Sequence, residues 1–194
     1  MTILHISDTH GKQGELANLP PADVLVHSGD FTLSGSDMEA LDFMEWFCEL
    51  PYAHKVFIAG NHDDCMYDGS IDGLPGNVHY LADCGVTIGG IKFFGVPTFL
   101  RHDKVQEDFG MIPTDTNILI THRPPLGILD GNDDLHVGSA ELLGVIKQVS
   151  PKLHLFGHAH DSYGTVSWKG MSFSNACLVD NNYRLCRTAQ SCIL

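Results

Sequence analysis

The stretch Ile3-Leu4-His5-Ile6-Ser7-Asp8-Thr9-His10 holds the pattern that decides the fold. A short apolar run ends at once in side chains able to ligate a metal ion. Four later stretches repeat it. Val24–Val26 precedes His27-Ser28-Gly29-Asp30, and Val56–Ala59 precedes Gly60-Asn61-His62-Asp63. Ile118–Ile120 precedes Thr121-His122, and Leu153–Phe156 precedes Gly157-His158-Ala159-His160. Runs this short, rich in Ile, Val and Leu and without polar alternation, read as strands buried on both faces, as in α/β sheets. Ligands of open α/β sheets bind beyond the carboxyl ends of the strands. Five such ends bearing Asp, Asn and His therefore predict one site. Gly29, Gly60 and Gly157 predict sharp turns that let backbone and side chains converge there.

Outward from these ends, Ser36 and Glu39 form a capping box ahead of Leu41, Met44, Phe47 and Leu50, which are expected to share one helical face. A second helix is predicted from about Ser139 to Val149, stopped by Pro151. Val86-Thr87-Ile88-Gly89-Gly90-Ile91 reads as a hairpin, and another turns at Lys169-Gly170 between Tyr163–Lys169 and Met171–Asn175. No linker, repeat or shift in composition divides the 194 residues, so a single α/β domain is expected over 1–194, with a mixed sheet or two packed sheets.

Twenty-four acidic residues against 11 basic ones give a formal net charge of -13. Such a chain repels long nucleic acids and anionic membranes, yet it can take a small phosphorylated ligand through metal ions. No apolar run approaches the length of a membrane span. The six cysteines form no CxxC pair, and the N-terminal stretch lacks secretory features, so reduced thiols in a cytoplasmic protein are expected.

Imidazole and carboxylate donors without thiolate favour Mn, Fe, Zn, Co or Ni over Ca or a carboxylate-only Mg site. Seven donors exceed the need of one ion and suit a pair ~3.5–4 Å apart sharing a carboxylate. His5, His27 and His154 lie within apolar runs and read as hydrogen-bonded core histidines; His54, His79, His102 and His136 read as surface or loop residues. Arg123, beside His122, is either a surface residue or a planar fork for a substrate phosphate. Residues 127–138, with Asp130, Asp133 and Asp134, read as a solvated acidic loop and a candidate lid.

In order, Asp8-Thr9-His10, Gly29-Asp30, Gly60-Asn61-His62-Asp63, Thr121-His122 and Gly157-His158-Ala159-His160 resemble the blocks of the calcineurin-like metallophosphoesterase family, over residues 3–176. Ile6–His10, His27–Thr32, Leu50-Pro51-Tyr52, Thr121–Gly127, Val137–Leu143 and Pro151–Gly164 are similar to its MPPED-type (metallophosphoesterase-domain) branch. Arg123, where the pattern often has Gly, and the tail after Cys177 depart from it.

The resemblance implies an α/β fold with a two-layered central β-sandwich flanked by helices. It implies Asp8, His10, Asp30 and His160 on one ion, with Asp30 bridging to a second ion held by Asn61, His122 and His158. Manganese leads the candidates for both divalent ions, ahead of Fe, Zn, Co and Ni. His62 would donate a proton without binding metal, its ring oriented by Asp63. The implied reaction is attack by a bridging hydroxide on a small phosphodiester, a cyclic nucleotide among the candidates. Alternatives are a phosphomonoesterase, a nucleotide-binding module of the same fold with slow or no turnover, and a structural scaffold. The presence of every implied ligand and of His62 favours an enzyme.

Overall fold

The computed structural model describes residues 1–102, 104–132 and 135–194; Asp133 and Asp134, part of the expected acidic loop, lie outside them. The chain runs β1 (Thr2–Ile6), β2 (Val24–His27), α1 (Asp37–Glu49), β3 (His54–Phe57), β4 (Val78–Tyr80), β5 (Cys84–Ile88) and β6 (Ile91–Val96). It continues through β7 (Phe99–Arg101), β8 (Lys104–Gln106), β9 (Ile118–Thr121), β10 (Gly131–Asn132) and β11 (Leu135–His136). It ends with α2 (Ala140–Val149), β12 (Leu153–Phe156), β13 (Gly164–Trp168), β14 (Met171–Asn175) and β15 (Gln190–Ile193).

Two sheets form the centre. One has the order β15-β1-β2-β3-β4, the other β13-β14-β12-β9-β6-β5. Neighbours among β1, β2, β3 and β4 pair in parallel, as do β14, β12, β9 and β6, while β15, β13 and β5 close the edges antiparallel. Side chains alternate across a strand. Ile3, Val24, Val26 and Val56 therefore meet Phe93, Ile118, Ile120 and Leu155 between the sheets. Leu4, Ile6, Leu25 and Phe57 point the other way, under α1, and Leu119 and Phe156 point outward under α2. Both faces of the parallel strands are covered, which is why the sequence shows continuous rather than alternating apolarity. The fold is thus the expected α/β sandwich of two packed sheets flanked by helices.

Helix α1 carries the expected capping box: Glu39 N–H donates to Ser36 Oγ, and Ser36 N–H donates to the Glu39 carboxylate. Its buried face is Ala40, Phe43 and Phe47, whereas Leu41 is 59% exposed, so the expected face is displaced by about one residue. Phe43 sets the rotation by packing against Phe31, Phe47 and Phe57. Buried Lys55 on β3 donates from Nζ to the carbonyls of Cys48 and Leu50, satisfying acceptors at the end of α1. His54 and His79 are half-buried and stacked on neighbouring strands β3 and β4, rather than loop residues.

The tail is integral to the fold. Ser7 bridges to Cys177, Leu178 N–H donates to Ser7 O, and β15 pairs along β1. Among the described residues, no helix is long and apolar enough to cross a membrane.

Candidate metal centre

Backbone hydrogen bonds tie the segment after β1 to that after β2, and the segment after β9 to that after β12. Asp8 N–H donates to Gly29 O, His10 N–H to Asp30 O, and Gly157 N–H to His122 O. Asp8, His10, Asp30 and His158 all hold left-handed backbone, with φ of 54°, 44°, 56° and 66°. Such φ values are uncommon outside glycine and cluster at functional sites. At Gly60 and Gly157 the requirement is close approach instead of a special turn. A Cβ on Gly60 would stand 2.3 Å from Asp30 Oδ1, and one on Gly157 would stand 2.1 Å from Asp8 Oδ2. Gly29 needs both, with φ of +100° and a Cβ position 2.7 Å from His122 Nδ1.

Three histidines are oriented alike. Nδ1–H of His10 donates to Thr32 O, that of His122 to Ser28 O, and that of His160 to Asp180 O. A carbonyl only accepts, so Nδ1 carries the hydrogen and Nε2 turns inward. The carboxylates are oriented as well. Asp30 Oδ1 accepts His62 N–H, leaving Oδ2 at 3.2 Å from His122 Nε2 and 3.8 Å from His10 Nε2. Asp8 Oδ2 accepts Cys177 Sγ–H at 3.1 Å and His158 N–H at 3.1 Å. Its Oδ1 lies 3.2 Å from His160 Nε2 and 3.8 Å from His10 Nε2.

Inward-facing nitrogens, two carboxylates and Asn61 Oδ1, which lies 3.1 Å from His122 Nε2, make an arrangement dominated by electron-pair donors. Buried His10 Nε2 has no hydrogen-bond partner and sits 3.8 Å from a carboxylate oxygen of Asp8 and 3.8 Å from one of Asp30. The donor set therefore fits a cation. The electrostatics agree. Against burial, the Asp30 and Asp8 carboxylates hold the His122 imidazole up at about 10. Against burial, His122 holds the Asp30 carboxyl down at about 2. Burial and the adjacent His122 push His158 down to about 4, leaving its ring neutral and able to ligate. Potential ligand atoms fall into three close groups: Asp8, His160 and Cys177; His10, Asp30 and His62; Asp30, His122 and His158. Six of the seven expected donors fall in these groups, with Asp30 shared between two, and Asn61 adjoins them through Oδ1 beside His122 Nε2.

His62 stands at the rim, its ring 4.7 Å from that of His10. The Leu33 carbonyl accepts its Nδ1–H. Asp63 does not take the ring-orienting role expected of it. Its buried carboxylate instead accepts the N–H groups of Gly60, Asp30 and Thr32 and the Thr32 hydroxyl, tying the β2 and β3 loops together. Arg123 is neither a free surface residue nor a free fork: Nε and Nη2 donate to Val137 O, and Nη1 pairs with Glu107 at 3.0 Å. Asp130, expected in a solvated loop, is buried, because the loop closes on it through Gly127 N–H and His136 Nδ1. The core histidines behave as expected: His27 meets Thr9, His5 meets Ser28 and Ser174, and His154 meets Thr121.

Two residues at the site had no part in the sequence reading. Cys177 follows β14 by two residues, and β14 is a sixth parallel strand whose end also faces the site, so the strand-end rule could have found it. Tyr183 gives no signal. A turn after Asp180 carries it to the donor cluster, its ring 4.8 Å from His10 and 5.7 Å from His160. A cleft of about 430 Å³ opens between Tyr183, His62, His160 and Leu135.

A family model described as calcineurin-like phosphoesterase matches residues 1–162. Over 202 residues the chain is 37% identical to a Caenorhabditis elegans UPF0046 protein, covering 91% of this chain and 69% of that one. Over 217 residues it is 35% identical to the Homo sapiens metallophosphoesterase domain-containing protein 1, covering 92% and 66%. The chain thus spans about two thirds of the length of these relatives. A solved crystal structure superposes with a TM-score of 0.65 at 18% identity, covering 90% of this chain and 89% of that one, and shares its fold.

Proposed function

The chain belongs to the calcineurin-like phosphoesterase family, and from that membership we propose that it hydrolyses a small phosphodiester with two divalent ions, manganese first among them. Asp8, His10, Asp30 and His160 would hold one ion, Asn61, His122 and His158 the other, with Asp30 shared. Bound there, the ions supply Lewis-acid polarisation of a phosphoryl oxygen and a water acidified toward hydroxide.

The chain's own groups do the rest. Backbone carbonyls take the Nδ1 hydrogens of His10, His122 and His160, so Nε2 is the nitrogen each ring turns toward an ion. Cys177 Sγ–H holds Oδ2 of Asp8, and His158 N–H is shared between both its oxygens, leaving Oδ1 toward His160 and His10. His62, anchored through Nδ1 to Leu33, presents Nε2 to the cleft. In hydrolysis a water oxygen bonds to phosphorus and the bond to the leaving oxygen breaks with its electron pair. His62 in its charged form delivers the proton that the departing alkoxide needs.

The observation that carries this reading is buried, partnerless His10 Nε2 between Asp8 and Asp30. The test is a metal-loaded screen of bis-4-nitrophenyl phosphate, 4-nitrophenyl phosphate, and 2',3'- and 3',5'-cyclic nucleotides. Metal-dependent hydrolysis of diesters is expected. Turnover of the monoester alone, or of nothing, overturns the proposal.

A further inference from the structure

Two cavities meet at the proposed metal ligands. The first is the cleft of about 430 Å³ beside His62 and Tyr183. The second, about 300 Å³, has Phe99, Leu100 and Val105 of the β7–β8 ribbon as walls and also touches Arg123. Asn61, Val137 and His158 line both, so two of the proposed metal ligands stand at the junction. A phosphoryl group held there would have room for one ester arm on each side.

The number of arms separates the possible substrates. A phosphomonoester has one. A cyclic nucleotide folds both into a single ring and fills one lobe. Only an open-chain diester sends two separate arms from the phosphorus. His62 lines the first lobe and not the second, so the oxygen receiving its proton belongs to the arm in the first. That arm is the leaving alcohol, and the retained ester group occupies the second lobe.

The second lobe also declares its chemistry. Leu100 and Val105 are 49% and 46% exposed, leaving apolar surface for a ligand group to cover. Among the described residues that line it, the cation is Arg123, which is paired with Glu107 and so gives no uncompensated charge to an anionic arm. Resting on the phosphodiesterase reading above, we propose that the substrate is an open-chain phosphodiester. Its leaving alcohol lies beside His62 and Tyr183, and its retained group is neutral and apolar, seated against Phe99, Leu100 and Val105. Hydrolysis adds the water hydroxyl to phosphorus, releases the first arm as its alcohol, and leaves the second as a phosphomonoester.

The experiment compares methyl and phenyl 4-nitrophenyl phosphate, which share a leaving group and differ in the retained one. With metal-loaded protein, kcat/KM is expected to favour the phenyl diester at least tenfold. Calorimetry is expected to show phenyl phosphate binding at least fivefold tighter than methyl phosphate. Leu100→Asp and Val105→Asp, both at exposed positions, should bring the two ratios toward one. Ratios near one in the unmodified protein, alongside brisk diester hydrolysis, overturn the lobe assignment and leave the phosphodiesterase reading intact. So do unchanged ratios in both folded variants. A cyclic nucleotide turned over faster than either open-chain diester overturns the open-chain assignment. No hydrolysis of any diester, with two ions measured per chain, overturns the phosphodiesterase reading and this inference with it.

Discussion

At the scale of single residues, His62 and Cys177 touch the same centre in different ways and should fail differently. His62 anchors Nδ1 on Leu33 O and faces the cleft. Loss of a general acid typically lowers rate by about 10²–10⁴-fold. The loss follows the leaving oxygen's need for a proton. His62→Ala should therefore keep its metal content, lose much of its rate on a diester with an alkyl alcohol leaving group, and lose less on a nitrophenyl diester. Metal analysis with kinetics on both substrates checks this; a lost ion would make His62 a ligand. Cys177 acts through Asp8, whose Oδ2 accepts its thiol hydrogen at 3.1 Å. Removing such an outer contact typically weakens metal affinity about 10–100-fold. Cys177→Ala should show that loss in a metal titration, and Cys177→Ser should recover most of it because a hydroxyl can donate to the same oxygen. Equal affinity in all three proteins would reduce Cys177 to a packing residue.

At the scale of elements, the entry to α1 offers a test of sign. Partial burial opposes it, but hydrogen bonds from Ser34 and Ser36 hold the Glu39 carboxyl down at about 2. A carboxyl lowered in the folded state adds stability above its ordinary unfolded value, and that stability fades as pH falls toward the folded one. The melting-temperature gap between the unmodified protein and Glu39→Gln should thus be full at pH 6 and narrow steadily below about pH 4.5. Ser36→Ala should cost about 1 kcal/mol in denaturant unfolding. This cap was legible because capping is local: Ser36 and Glu39 lie within one turn of the helix. The face of α1 was not, because Phe43 meets Phe31 and Phe57 from other elements and turns Leu41 outward. The five strand ends were legible because strands buried on both faces leave continuous apolar runs, and their polar ends stand out against them. Asp63 and Tyr183 were misread or unseen for the opposite reason. The partners of Asp63 are chiefly backbone amides of the β2 loop, and Tyr183 reaches the centre from a turn with no periodicity.

At the scale of the molecule, the sandwich holds together what would otherwise push apart. Asp8, Asp30 and Asp63 are all buried at one edge of the two sheets, and four of the proposed ligands sit in left-handed backbone. Three cores fix the strands: one between the sheets and one under each helix. The loops at the strand ends therefore cannot relax far to separate the carboxylates. In the absence of metal, His122 held up at about 10 lets a proton supply part of the missing positive charge, though Nε2 of His10 keeps no partner. A cation that binds only the folded state would relieve both. Its stabilisation is RT ln(1 + [L]/Kd), about 2.7 kcal/mol per site at 100-fold excess. For a chain of this size, each kcal/mol moves the melting temperature by roughly 2–4 °C. Chelation should therefore lower the Tm by about 5–10 °C for each site emptied, and added manganese should restore it in a concentration-dependent way. Replacing Asp30, shared between two donor groups, should abolish most of that response, while replacing His10, present in only one, should abolish less. Scanning calorimetry of the three proteins with and without chelator, paired with elemental analysis, decides the matter. An unchanged melting curve after verified metal removal would mean that the donors at this edge are held by the sandwich alone.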